Sequence, residues 1–249
     1  MRMMKTREKK FIVMEGLDAA GKSTQIRLLK NYLEKQDIDY KYVHFPQTDS
    51  FPDSPIYGEM VANFLKGEYG DINQVNPYLV ALLYAGDRNN AKSKIGDWLE
   101  KGYFLLVDRY VYSNMAFQGA KFRLPEEKRK LNQWIQHLEY EYHKIPKPTL
   151  SIFLHMQFDF VSKKLKDARK GADRKYLEGK EDIHESSLEL QANVEKEYLK
   201  LVEENDDFHL IDCFDEKDET LSPERIHQKV IDLLKAQGAF PGIEDRERF

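Results

Sequence analysis

The segment Glu15-Gly16-Leu17-Asp18-Ala19-Ala20-Gly21-Lys22-Ser23-Thr24 constrains the fold more than any other part of the chain. It follows the short apolar run Phe11-Ile12-Val13-Met14 and opens a segment in which Ile26, Leu29 and Leu33 recur at helical spacing. The order is strand, glycine-bearing loop, helix, with G-x-x-x-x-G-K-S at the junction. Gly16 and Gly21 let the backbone wrap so that N–H groups between Gly16 and Thr24, those of Ala19 and Ala20 among them, point inward at an anion. The positive end of the following helix adds to the same field. Lys22 reaches the outer phosphates of a nucleoside triphosphate, and the Ser23 hydroxyl suits a Mg2+ ligand. A tight turn at a helix start is the plain alternative, and the flanking strand and helix count against it. The segment implies binding of nucleotide phosphates.

Strand-like and helical runs alternate along the rest of the chain. Strands are expected at Lys10–Met14, Tyr40–Phe45, Tyr103–Asp108, Pro148–Met156 and Phe208–Cys213. Helical patterning is read from Lys22 to about Gln36, over Ile56–Leu65, Asn76–Lys101, Pro125–Lys144 and Ser222–Lys235. Pro77 stands near the start of the third of these, and Ser222 before Pro223 is a helix cap. Helix, a charged glycine-containing stretch and helix fill Phe158–Glu204. Five strands separated by helices imply a parallel sheet covered on both faces. The run Tyr103–Asp108 is continuously apolar, as a central strand buried on both sides would be. At 249 residues the chain suits one α/β domain. We assign it to 1–236, with a tail at 237–249 in which no pattern is legible.

Composition narrows the class further. A formal charge of -4 argues against a general nucleic-acid binder. No apolar stretch is long enough to span a bilayer, and the basic start Met1–Lys10 lacks the apolar stretch of a secretory signal. The single cysteine, Cys213, excludes an internal disulfide framework and fits a reducing cytoplasm. It ends the run Phe208, Leu210, Ile211, as a buried structural thiol does.

A phosphate-binding loop serves kinases, GTPases and motor or transport ATPases alike, so the remainder of the chain has to choose between them. Gly16-Leu17-Asp18-x-Ala20-Gly21-Lys22-Ser23-Thr24-Gln25, Phe45-Pro46, Tyr84-Ala85-Gly86-Asp87-Arg88, and Val107-Asp108-Arg109-Tyr110-Val111-Tyr112-Ser113-Asn114 through Phe117-Gln118-Gly119-Ala120 together resemble thymidylate kinase in order and spacing. The match runs over roughly residues 10 to 235. The resemblance implies a three-layer P-loop NTPase fold with a mobile lid at about 167–182, ATP as donor, Mg2+ as cofactor, dTMP as acceptor, and a homodimer packed through helices. Nucleic acid and membrane are not among the implied partners.

The resemblance also distributes roles. Asp18 matches the acid near the acceptor 3′-hydroxyl and donor phosphates, and Phe45 precedes the proline of the acceptor site. Arg109 matches the arginine that grips the acceptor phosphate, a task suited to a planar bidentate donor. A salt bridge with no part in binding is the alternative there. Asp108 matches an acid that orients water of the Mg2+ shell, against strand-end capping. Tyr84 falls where a ring stacks on thymine and Arg88, one turn later on the same face, where an arginine meets the base edge; without the family, Tyr84 with Leu79, Leu82 and Leu83 reads as a core stripe. Asn114 matches a residue that bonds the pyrimidine edge, and Phe117 an aromatic crowding the sugar C2′. With Ala19 in place of a loop arginine, the lid must supply the catalytic cation, Arg174 first and Arg169 second, although a solvated loop would carry the same charges.

Two positions depart from the family pattern. Gln47 and Thr48 follow Phe45-Pro46 where an arginine usually grips the acceptor phosphate; glutamine donates hydrogen bonds but carries no charge. Lys121 or Arg123 are the compensating cations suggested by proximity. His184 stands where relatives often have tyrosine near the sugar. These departures keep open a related nucleotide or deoxynucleoside kinase with altered acceptor, Glu15 being a conceivable base for a nucleoside kinase. A catalytically idle nucleotide-binding protein is the alternative from another class, and the intact Lys22, Ser23, Asp108 and Arg109 count against it. The leading expectation is transfer of the ATP γ-phosphoryl to dTMP for DNA precursor synthesis.

Overall fold

The computed structural model describes residues 10–48, 55–72, 74–167 and 187–240. The five apolar runs form one parallel sheet, from β1 Lys10–Glu15, β2 Tyr40–His44, β3 Phe104–Asp108, β4 Leu150–His155 and β5 Phe208–Asp212, in the spatial order β2-β3-β1-β4-β5. Phe11, Ile12, Val13 and Met14 of β1 are buried, as are all five residues of β3. This is the signature of central strands covered on both faces. Register is set at the strand tips, where Met14 pairs with Asp108 and His44 with the same Asp108.

The helices are α1 Lys22–Lys35, α2 Pro55–Leu65, α3 Pro77–Glu100, α4 Val111–Gly119, α5 Pro125–Gln136, α6 Phe158–Asp167, α7 Leu188–Glu204 and α8 Pro223–Ala236. The β1-to-β2 crossover runs one way along the sheet and the β3-to-β4 crossover the other. Right-handed connections therefore put their helices on opposite faces. On one face α1 packs against α8, with Ile26, Leu29 and Leu33 buried on the first and Ile226, Val230 and Leu234 on the second; on the other, α4 packs against α3, α5 and α7. Asn76 caps α3 by accepting from the Tyr78 N–H at 2.9 Å, and Ser222 caps α8 through the Arg225 N–H at 3.3 Å. Cys213 is buried. No helix among the described residues is long and apolar enough to cross a membrane.

Three elements differ from expectation. Helix α4 carries no amphipathic pattern because all nine of its residues are buried, so periodicity gives no signal for it. The helix expected over Pro125–Lys144 is α-helical only to Gln136 and continues as a π turn, His137–Tyr142. The packed body also extends past residue 236: Ala239 and Phe240 are buried, and the Phe240 ring stacks on Phe104 with centroids 5.7 Å apart.

Candidate functional site

The carboxyl ends of adjacent strands β1 and β3 deliver Glu15-Gly16 and Asp108-Arg109 side by side. In open parallel sheets this is the edge where ligands bind. Gly16 adopts φ +154°, and a Cβ there would stand 3.1 Å from the Leu154 carbonyl oxygen, so the loop passes close against β4. Ala19 (φ 61°) and Gly21 (φ 84°) take left-handed backbone, which turns the chain into α1. Lys22 folds back along the loop, donating to the carbonyls of Gly16 at 3.1 Å and Leu17 at 2.8 Å. Burial and the nearby Arg109 cation push its ammonium down to about 8, against the opposing pull of Asp108, Asp18 and Glu15. The Ser23 side of the first turn is exposed.

Arg109 is the centre of the arrangement. It takes φ 63°, its N–H donates to the Met14 carbonyl at 2.9 Å, and its guanidinium is buried. Nη2 donates to Asp18 Oδ1 at 2.5 Å, Nη1 to Ser113 Oγ at 3.3 Å, and the group lies 5.1 Å above the Phe117 ring. Burial alone would lower its pKa, but Asp18, Asp108 and Glu15 carry the net shift upward. Arg109 thus joins the phosphate-loop acid Asp18 to Phe117, and Gln191 of α7 donates to the other oxygen of Asp18 at 3.1 Å.

Beneath it lies Glu15, fully buried. Its oxygens accept from the Tyr110 N–H at 2.9 Å, the Ser113 N–H at 3.2 Å, the Tyr198 hydroxyl at 3.1 Å and the Ser113 hydroxyl. Burial raises its pKa, and these hydrogen bonds with the Arg109 charge oppose the rise. Its two main-chain partners are the first amides of α4, which have no acceptor within the helix. Asp108 Oδ2 meets His44 Nδ1 at 3.2 Å. Burial works to raise its pKa, but His44, Lys22 and Arg109 prevail and hold the carboxyl below its usual range. Asp108 Oδ1 is buried without a hydrogen-bond partner among the described residues. An ionised carboxylate with one uncommitted oxygen, near the exposed first turn bearing Ser23, is the donor chemistry a hard divalent cation needs.

Away from the loop, Arg88 of α3 is buried in a two-pronged pair with Glu139: Nε to Oε2 at 2.5 Å and Nη2 to Oε1 at 2.7 Å. Asn114 Nδ2 donates to the same Oε1 at 3.0 Å and to the Ala81 carbonyl at 3.1 Å. The Arg88 guanidinium lies 5.9 Å from the Tyr110 ring centroid. Phe45 is buried against Tyr110 at the start of a cis Phe45–Pro46 bond. Tyr84 is half-buried and packs on the small cluster Val61, Phe64, Leu65 and Val80.

The residues that depart from the family pattern are also placed. Gln47 is buried; its N–H donates to Asp87 Oδ2 at 2.9 Å, while its Nε2 has no partner among the described residues. Lys121 lies 5.0 Å above the Phe64 ring and donates to Gln118 Oε1 at 2.8 Å. Burial pushes its ammonium down to about 7. Arg123 is exposed. Arg169, Arg174 and His184, and the lid they belong to, lie outside the described residues. Sequence reading singled out Lys22, Asp18, Arg109 and Asp108, which converge. It passed over Glu139 and Gln191, for a lone acid or amide within a polar helix carries no signal of burial.

A family model described as "Thymidylate kinase" matches residues 14–223. The chain is 29% identical over 226 residues, covering 90% of its own length and 95% of the relative's, to the "Probable thymidylate kinase" of Pyrococcus abyssi. It is 28% identical over 228 residues, 91% of this chain and 98% of the other, to the "Thymidylate kinase" of Fervidobacterium nodosum. The solved structure of thymidylate kinase from Candida albicans superposes with a TM-score of 0.68 at 24% identity, covering 93% of each chain.

Proposed function

The chain belongs to the thymidylate kinase family, and on that premise we propose that it transfers the γ-phosphoryl group of ATP to dTMP, giving dTDP and ADP for DNA precursor synthesis. The observation that carries this reading is the junction of Asp18, Arg109 and Phe117. The phosphate loop and an arginine on the adjacent strand tip meet at 2.5 Å, and the arginine lies over an aromatic ring of α4. Donor and acceptor phosphates are both anions, so the site must neutralise charge and fix alignment.

On this account Lys22 and the loop amides hold the β- and γ-phosphates, and Arg109 holds the dTMP phosphate. An acceptor phosphate oxygen attacks the γ-phosphorus as the bond to the β–γ bridging oxygen breaks. The attacking group is already an oxyanion, so no strong base is required. Ser23 and Asp108 would hold Mg2+ directly or through its water; the ion supplies charge neutralisation on the donor phosphates. Asp18 stands near the acceptor sugar, Phe117 against its C2′ face, and Tyr84, Arg88 and Asn114 around the base. Arg174 and Arg169 are assigned to the lid, and His184 to the sugar. Gln47 replaces a cation with an amide donor. A homodimer in the cytoplasm completes the reading.

Arg109→Ala separates the two phosphates. Turnover with dTMP should fall by roughly 100- to 1,000-fold, the loss expected when one preorganised anion donor is removed, while ATP affinity by equilibrium binding stays nearly unchanged. Loss of ATP binding instead would place Arg109 on the donor.

A further inference from the structure

Glu139 is fully buried, and its two oxygens together take three N–H donors: two from Arg88 and one from Asn114. We propose that Glu139 is a positioning residue that sets which pyrimidine the acceptor pocket takes, by fixing the guanidinium of Arg88 and the carboxamide of Asn114 in one orientation. The inference rests on the dTMP reading above.

The π turn His137–Tyr142 places Glu139 in this position. The wider turn is closed by the His143 N–H donating to the Leu138 carbonyl at 2.9 Å, and Lys92 Nζ ties its end by donating to the His143 carbonyl at 2.7 Å. Short π segments occur often at functional sites. A buried arginine needs a counter-charge, and neutralising Arg88 would explain a carboxylate at 139. It would not explain the third donor.

Asn114 can present either end of its amide, and its surroundings decide which. A carboxylate has no proton to give, so only Nδ2 can face Glu139, and the Ala81 carbonyl takes the other Nδ2 proton. Both donors are then committed. Oδ1 is left as a buried acceptor that receives no hydrogen bond from the described residues. Arg88 commits its Nε edge to Glu139 and, having no acceptor atom, offers only donors from the rest of its fork.

Helix α3 thus presents a donor and α4 an acceptor. A thymine or uracil edge shows the complementary pair, an acceptor at O4 and a donor at N3. Cytosine shows the reverse at both positions. Arg88 has its polarity by nature; Asn114 has its polarity because two acceptors without a proton, Glu139 and the Ala81 carbonyl, hold it, and Glu139 is the one a side-chain substitution can change.

The test is Glu139→Gln, which keeps the shape and gives position 139 an N–H2 of its own, so that of the two acceptors orienting the Asn114 amide only the Ala81 carbonyl remains. The KM for dTMP should rise by about tenfold or more with kcat within about threefold, and the dTMP-to-dCMP ratio of kcat/KM should fall by at least about tenfold. The KM for ATP should hold. Glu139→Asp, still a proton-free acceptor, should keep the base ratio. Equal losses for dTMP and dCMP in the glutamine variant would make Glu139 a structural counter-ion and overturn the proposal. Should that variant fail to fold, Glu139→Asp carries the test. One methylene shorter, it should raise the dTMP KM by about fivefold at unchanged kcat, and an unchanged KM overturns the proposal. Wild-type protein that prefers another acceptor overturns the function and this inference together. A dTMP-selective wild type with an unaltered ratio in Glu139→Gln overturns this inference alone.

Discussion

Lys22 is a buried cation beside a second one, Arg109, and its ammonium titrates near 8 for that reason. Below that pH the group is charged and attracts the donor phosphates; above it the attraction is lost. ATP affinity measured by equilibrium binding should therefore weaken as pH rises from about 7.5 to 9.5, by up to roughly tenfold per unit for a single linked proton. Lys22→Met should bind more weakly and show little of that slope. A flat wild-type profile would contradict the assignment of Lys22 to the phosphates. Lys22 was legible from the spacing of the phosphate loop, and Asp18, Asp108 and Arg109 from the resemblance of their segments, at the ends of β1 and β3, to thymidylate kinase. Arg88 and Asn114 were legible only as positions; their shared partner Glu139 was not. Nothing in Gln136-His137-Leu138-Glu139-Tyr140 distinguishes a solvated glutamate from one that meets an arginine 51 residues earlier.

At the scale of elements, α4 is the part that periodicity could not find. It is short and buried on every side, so its sequence has no polar face to contrast with an apolar one. Its start is held by Glu15, which accepts the Tyr110 and Ser113 amides, and Tyr198 of α7 closes the cluster. Glu15→Ala leaves the two amides buried without an acceptor and takes from the Ser113 and Tyr198 hydroxyls, 2.7 Å apart, the carboxylate they share. It should cost on the order of 3 kcal/mol in urea unfolding, and a change under about 0.5 kcal/mol would show that α4 does not depend on this carboxylate. The α2–α3 contact invites a second test. A Cβ on Gly86 would come within 2.2 Å of the Tyr57 ring, so Gly86→Ala must displace that ring. A loss of about 1–3 kcal/mol is expected from overpacking. Because Gly86 lies between Tyr84 and Arg88 on α3, the same substitution should also raise the KM for dTMP.

For the whole molecule, the alternation of five apolar runs with helices was enough to give the parallel sheet, and the crossover rule its two helical layers. Strand order and the packing of Phe240 on Phe104 depend on contacts between distant residues, for which a single sequence offers no periodic signal. The same holds for assembly. Leu79 and Leu82 of α3 remain 61% and 41% exposed, with Ile56 of α2 at 66%. If the proposed homodimer uses this face, sedimentation should give about twice 29.4 kDa, and Leu79→Lys with Leu82→Lys should give the monomer. A monomeric wild type would remove the dimer from the account.

The central claim, that the Arg109 and Lys22 sites join to phosphorylate dTMP, is tested most directly by Mg2+-dependent ADP formation from ATP with dTMP, dUMP, UMP, dCMP, dGMP and thymidine offered separately. The account predicts turnover with a strong preference for dTMP, despite Gln47 in place of a cation. Preference for another acceptor, or no turnover from protein shown to bind ATP, would contradict it.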